Sequence, residues 1–175
     1  MHSLKTLKLS IVSWILIFTS ASASATVINH ALTSTATASS SYLANTPNLA
    51  ADGNTSTLWN SGGHTAWINF DLGSAKSISK ITGLVIQNPS GATEHQIYLD
   101  NILSHTWSGI TTNGDLLTWL LPTATTVQNI RIQTSSSPSW VAWAEVSIAE
   151  VPVPAPLVLM GLGILAIGIT KKRKA

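Results

Sequence analysis

The chain has no cysteine among its 175 residues, which excludes disulfides, thiolate metal sites and cysteine nucleophiles. Charge is scarce too: charged side chains make up 9% of the sequence, against roughly 25% in an ordinary soluble domain. Bases are almost missing from the middle. Between Thr26 and Glu150 only Lys76, Lys80 and Arg131 stand against all seven acids (Asp52, Asp71, Glu94, Asp100, Asp115, Glu145, Glu150), a net of four negative charges. The sequence pI of about 9.1 is therefore a property of the two ends, and nucleic-acid binding has no electrostatic footing. Those acids are spread singly through turns and strands, and His64, His95 and His105 fit no short metal motif. No nucleophile with a base and no paired carboxylates are recognisable, so the expectation is a protein that is not an enzyme.

What apolar excess there is sits at the ends. Residues 1–25 read as a signal peptide: Lys5 and Lys8, an apolar run over 9–20, then ASASA at 21–25 with cleavage after Ala25 or, alternatively, Ala23. The apolar run is shorter than the roughly 20 residues a spanning helix needs, which disfavours a retained anchor. Residues 151–175 form a second unit, with a membrane segment at 155–170 whose core, Leu157 to Thr170, is uncharged. Lys171, Lys172, Arg173 and Lys174 follow at once and predict a cytoplasmic end. Fourteen residues at 1.5 Å each reach about 21 Å, so spanning needs help from the preceding VPVPAP and some bilayer thinning.

Residues 26–150 suit one domain with a real core. Short β-rich runs recur between turn residues, and helical periodicity is hard to find. Strands are expected near 35–39, 67–72, 78–87, 96–100, 105–110, 116–121, 127–133 and 140–148. In WINFDL the alternation puts Ile68, Phe70 and Leu72 on one face and Trp67, Asn69 and Asp71 on the other. Eight strands over this length predict an all-β, eight-stranded antiparallel jelly-roll sandwich. The connecting stretches SSSYLANTPN, ADGNTST, NSGGH, NPSGAT, TTNG and TSSSPS carry ordinary turn chemistry.

The stretch from Asn48 to Gly73 is the most informative. Asp-Gly-Asn opens a tight turn in which Asp52, Asn54 and Thr57 gather oxygens, a plausible loop for calcium, which takes six to eight hard oxygen ligands. The spacing is not that of an EF-hand, and a plain turn remains the alternative. Glu145 lies in an otherwise apolar strand, WVAWAEVSIA, where an unpaired carboxylate is costly to bury and signals a partner. Of the domain's tryptophans, Trp59 and Trp67 read as structural. Trp140, after TSSSPS, and Tyr42, in the first long loop, are candidate sugar-stacking faces, and His64 is a loop-borne polar candidate.

In order, ATASSSY, NLAADGNTSTLW, AWINFDLG, IRI and WAEVSI resemble the discoidin, or coagulation-factor 5/8 type C, superfamily over about residues 33–149. Its bacterial members include carbohydrate-binding module family 32. The resemblance implies a jelly-roll with a structural calcium ion: carbonyls from Leu49, Asn54 and Ala144, carboxylates from Asp52 and Glu145, and the hydroxyl and carbonyl of Thr57. Such an ion ties the second loop to the last strand. Galactose-preferring members often carry a His after the motif tryptophan and an Arg before the fourth strand. Asn60 and, approximately, Gln87 stand there in this chain, so hydroxyl-binding amides are expected and galactose is in doubt. Lipid-binding members use protruding apolar loop tips, and these loops are polar.

VPVPAPLVLMGLGILAIGITKKRKA resembles the PEP-CTERM sorting signal in its VPVPA variant, with Val151, Pro152, Val153, Pro154 and the basic residues 171–174 as its parts. The resemblance implies an exosortase-type protease as partner, a transient inner-membrane stage and delivery to the surface or matrix of a Gram-negative cell that makes exopolysaccharide. An uncleaved single-pass anchor is the alternative. Two functions fit: a non-catalytic module binding extracellular polysaccharide or a cell-surface glycan, or a structural surface-coat protein with no small ligand.

Overall fold

The alternation in WINFDL sets the first layer. Ile68, Phe70 and Leu72 face inward, with Ile68 and Phe70 wholly buried, while Trp67, Asn69 and Asp71 are only partly covered. The computed structural model describes residues 26–150, so the expected signal peptide and sorting tail lie outside the described residues. The strands are β1 (Ile28–Asn29), β2 (Thr35–Ala38), β3 (Trp59–Asn60), β4 (Ala66–Val85), β5 (Gly91–Leu99), β6 (Ile102–Thr111), β7 (Leu116–Ser136) and β8 (Ala142–Glu150), with short 3-10 turns at His30–Thr33 and Pro47–Ala50. All the strand pairings are antiparallel.

Two long strands serve both layers of the sandwich. The first half of β4 pairs with β2 and with the second half of β7, whose other side carries β5 and then β6. The register shifts between Asp71 and Lys76, where Gly73 sits at φ 73°, a left-handed conformation that glycine adopts without steric cost. Beyond it, the second half of β4 lies between the first half of β7 and β8, while β1 and β3 pair with opposite ends of β8.

The all-β antiparallel sandwich expected from the sequence is the fold, but its eight strands are not the eight expected. The runs at 67–72 and 78–87 are one strand, as are those at 116–121 and 127–133, because the turn-like residues between them bend the strand without reversing the chain. Two two-residue strands, β1 and β3, make up the number.

Between the layers, Trp59, Trp143, Phe70, Ile68, Ile78, Ile81, Ile97, Ile130 and Ile132 are almost wholly buried. Gly83 is part of that packing. A Cβ at this position would stand 2.5 Å from Trp143 Cζ3, so the missing side chain is the floor on which the indole lies. Trp59 is structural as expected, its Nε1–H donating to the Ser40 carbonyl at 2.9 Å. Trp67 instead faces outward and is half-buried.

Candidate functional site

Three loops meet at one end of the sandwich. Tyr42 N–H donates to the Asn60 carbonyl at 2.7 Å, Ser61 N–H to Val141 at 2.9 Å, Val141 N–H to Gly63 at 2.8 Å and Ile86 N–H to Ala142 at 3.2 Å. These bonds hold the segments around residues 40–64, 86–90 and 137–142 against one another. They frame an open cleft of about 410 Å³ whose polar walls are Asn60, His64, Asn88 and Ser139 and whose apolar wall is Trp140 with Pro89 and Pro138. Trp140 is 42% exposed. The Tyr42 ring, outside the cleft itself and also 42% exposed, lies 4.9 Å from the Trp140 ring at a 56° tilt.

The hydrogen-bonding roles of the walls follow from their neighbours. His64 Nδ1 is 3.2 Å from the Ser137 carbonyl oxygen. A carbonyl only accepts, so Nδ1 carries the proton and Nε2 of the neutral ring is left as an acceptor. Asn60 Oδ1 accepts from Gly62 N–H at 2.8 Å, which leaves the amide Nδ2 as the donor. Among the described residues, no ionisable side chain other than His64 lines the cleft.

Of the ligand candidates read from the sequence, the fold thus gathers Asn60, His64 and Trp140, with Tyr42 beside them. Gln87 is a correction. It is 4% exposed, and its amide is turned inward: Nε2 donates to the Thr111 and Gly91 carbonyls at 3.0 and 3.3 Å, and Oε1 accepts from Thr111 Oγ1 at 2.7 Å. Alternation beyond β4 points Ile86 and Asn88 to the cleft and Gln87 away from it. Asn88, Pro138 and Ser139 are wall residues that the sequence reading missed. They sit in NPSGAT and TSSSPS, where the only available signal is a polar, proline-bearing loop.

On the other side of β3 lies the oxygen-rich loop. Thr57 Oγ1 stands 2.7 Å from the Asn54 carbonyl oxygen, 2.8 Å from Asp52 Oδ2 and 3.5 Å from the Leu49 carbonyl oxygen. A hydroxyl has one proton to donate, so these oxygens crowd together with too few hydrogens between them. Asp52 Oδ1 accepts from Asn54 N–H at 2.9 Å, closing the turn. From β8, Glu145 Oε2 accepts from Gly53 N–H at 3.2 Å, while Oε1 is buried with no hydrogen-bond partner among the described residues. Burial pushes the Glu145 carboxyl above its ordinary range, the Gly53 N–H pulls it back, and the nearby Asp52 charge pushes it up again.

Ala144 is what re-aims Glu145. In the β4–β8 ladder Leu84 pairs with Glu145 and Val85 with Trp143, leaving Ala144 as the extra residue of a β-bulge. Among the described residues no three His, Cys, Asp or Glu side chains gather as a metal site. Any ion here must therefore draw on carbonyls and the hydroxyl as well as on Asp52 and Glu145. That donor set suits a hard, oxygen-loving cation, and an orphaned buried carboxylate oxygen is what such a cation relieves.

No curated protein sequence matches the chain, but solved structures do. The family 32 carbohydrate-binding module of AlyQ, solved with 4,5-unsaturated mannuronic acid, is 32% identical, with a TM-score of 0.52 over 65% of this chain and 92% of that one. A chitosan-binding module from a chitosanase/glucanase of Paenibacillus sp. IK-5 is 26% identical, with a TM-score of 0.54 over 70% of this chain and 98% of the other. The family 32 module of C. perfringens NanJ, solved with galactose, shares the fold at 20% identity and a TM-score of 0.59, over 71% of this chain and 100% of its own. Residues 35–146, more than half of the chain, match the F5/8 type C domain, and the protein belongs to that family.

Proposed function

We propose that the domain is a non-catalytic glycan-binding module of a surface or matrix protein, with calcium holding its second loop to β8. The observation that carries the glycan reading is the cleft: an exposed tryptophan, a histidine acceptor and amide donors on a rigid loop end. Aromatic faces take the C–H faces of a pyranose while amides and imidazole take its hydroxyls. Similarity to carbohydrate-binding modules supports the same reading. Low affinity per site is compatible with a polymer ligand, because many sites engage together. The test is retention on gels containing the polysaccharides of the source cell, with Trp140→Ala as control. Retardation that the substitution abolishes supports the reading, and free migration on every polysaccharide refutes it.

The calcium reading rests on Leu49, Asp52, Asn54, Thr57, Ala144 and Glu145, which would hold the ion. Bound there, it supplies charge neutralisation and cross-linking, and no chemistry. For the tail, the reading is a sorting signal cut between Val151 and Pro154 by an exosortase-type protease, after transient anchoring in the inner membrane. Mass spectrometry of the surface-extracted protein tests this, since an intact Lys171 to Lys174 end means a retained anchor. A structural coat role is favoured by one observation: Leu116 and Leu120 on β7 and Ile110 on β6 are 61%, 67% and 79% exposed, apolar surface available to neighbours. If Leu120→Lys disrupts surface assembly while Tyr42→Ala and Trp140→Ala do not, the coat role replaces the binding one.

A further inference from the structure

The relatives at 32% and 26% identity were solved or named with sugars of opposite charge: an unsaturated mannuronic acid, which is anionic, and chitosan, which carries amines. The cleft here suits neither. None of the domain's three bases lines it. Lys76 and Lys80 stand back along β4, with Lys80 five residues before Val85, about 16 Å at strand spacing. The Arg131 guanidinium is held over the Tyr98 ring at 4.7 Å. No acid lines the cleft either. Glu94 accepts from Ser135 and Gln96, and Asp115 from Thr112. A uronate entering the cleft would meet no lysine or arginine, only the His64 ring, and a glucosamine ammonium would meet no carboxylate. Burying an unpaired charge is strongly unfavourable.

The second observation is Tyr42. It is not a cleft wall, yet its ring is 42% exposed and lies 4.9 Å from the Trp140 ring at a 56° tilt. It is held in place from below: its N–H donates to the Asn60 carbonyl, and Gly62 packs so close that a Cβ there would lie 3.3 Å from Tyr42 Cβ. An exposed aromatic ring fixed beside the mouth of a site is a preformed ledge for the next ring of a chain. Resting on the glycan reading above, we infer that the ligand is an uncharged oligosaccharide of at least two rings, one in the cleft against Trp140 and the next over Tyr42.

Calorimetric titration of the full chain tests this with neutral gluco-, galacto- and manno-configured mono-, di- and trisaccharides, beside oligouronates and chitosan oligomers of the same lengths. The expected result is that a neutral disaccharide binds about tenfold tighter than its monosaccharide, the gain a single stacked ring can give. Tyr42→Ala should bring the ratio of disaccharide to monosaccharide affinity down to about one, and Tyr42→Phe should keep it near about ten. Equal affinity for mono- and disaccharide overturns the two-ring inference, and tighter binding of oligouronates or chitosan oligomers overturns the neutral-ligand inference. Either result leaves the glycan reading standing. Binding that survives Trp140→Ala places the sugar outside the cleft and overturns the two-ring inference, and no binding of any sugar overturns the glycan reading itself and the inference with it. Unchanged melting temperatures show that the variants are folded.

Discussion

Glu145→Gln should change the sign of its effect with calcium. Without the ion, Glu145 places a partly desolvated carboxylate near Asp52, with Oε1 buried and unpartnered. Glutamine removes the like-charge repulsion and keeps an oxygen to accept from Gly53 N–H, so the variant should melt at or slightly above the wild type in chelator. With calcium at about 100 times its Kd, the native state gains about 2.7 kcal/mol by mass action. At this domain size that raises the melting temperature by about 10 °C. Replacing one of only two carboxylates should weaken the site by at least about a hundredfold, leaving a gain of about 0.4 kcal/mol at the same calcium level. The two melting curves, followed by near-ultraviolet circular dichroism, should therefore cross between chelator and calcium. A wild type whose midpoint ignores both additions refutes the calcium reading. A variant that melts equally far below the wild type in both conditions shows that Glu145 acts through packing alone.

Further substitutions probe the frame around the site. Burial holds His95 at a pKa of about 4, well below the ordinary imidazole value of 6.5, and its Nδ1 is 2.8 Å from Thr134 Oγ1. Because the folded pKa is the lower one, the unfolded chain takes up the proton first, and stability is lost as pH falls from 6.5 towards 4. The loss is up to about 1.4 kcal/mol per pH unit, and about 3 kcal/mol in all. In urea titrations across that range in chelator, His95→Gln should show a shallower slope whatever its stability at neutral pH, and a parallel slope contradicts the assignment. Gly83→Ala should cost about 1 to 3 kcal/mol in the same assay, because its methyl group meets the Trp143 ring. A cost below about 1 kcal/mol would mean that the ring can move aside. Asn29→Ala should cost about 1 to 3 kcal/mol, since Oδ1 accepts from both Ala31 N–H and Ile148 N–H, and unchanged hydrogen exchange at Ile148 would refute this.

The layer faces were legible wherever side chains alternate. Ile68, Phe70 and Leu72 share one buried face as the alternation in WINFDL predicts, because burial on one face fixes register. The corners were not legible. Gly73-Ser74-Ala75 in β4 and Pro122-Thr123 in β7 have turn-like residues, and what carries the strand across them is pairing on either side, Asp71 with Asn129 and Lys76 with Val127, Ile78 with Thr125 and Lys80 with Leu120. The two-residue strands β1 and β3 have no periodicity to read, since each exists only through its contact with β8. At the site, His64 and Trp140 could be nominated because loops between strands cluster at the ends of a sandwich, and Asn60 through the family resemblance, by its place after Trp59. Gln87 could not be excluded, because the face a residue takes beyond a strand end depends on a turn whose geometry the residue types leave open. Glu145 was legible as an anomaly, a carboxylate in an apolar run. The bulge at Ala144 that re-aims it was not, for alanine carries no mark of a bulge.

The missing cysteines gain a physical meaning from these contacts. Holding long loops closed needs cross-links, and here polar side chains reaching distant backbone groups provide them. The Asp100 carboxylate accepts from Gln128 and Asn129 N–H, Asn29 caps the first turn and holds Ile148, and Trp59 Nε1–H ties the first long loop at Ser40. Each such bond adds only about 1 kcal/mol, or somewhat more where a charge takes part, whereas a disulfide typically adds about 2 to 4 kcal/mol. Several must act together to replace one covalent bridge. The link from Gly53 to Glu145 is the one that joins the loop leading into β3 to the last strand. Asn60, at the end of β3, pairs with Ala142, at the start of β8, and both border the cleft. The short β3–β8 ladder thus has the oxygen-rich loop at one end and the cleft at the other, so loosening the first removes a support of the second.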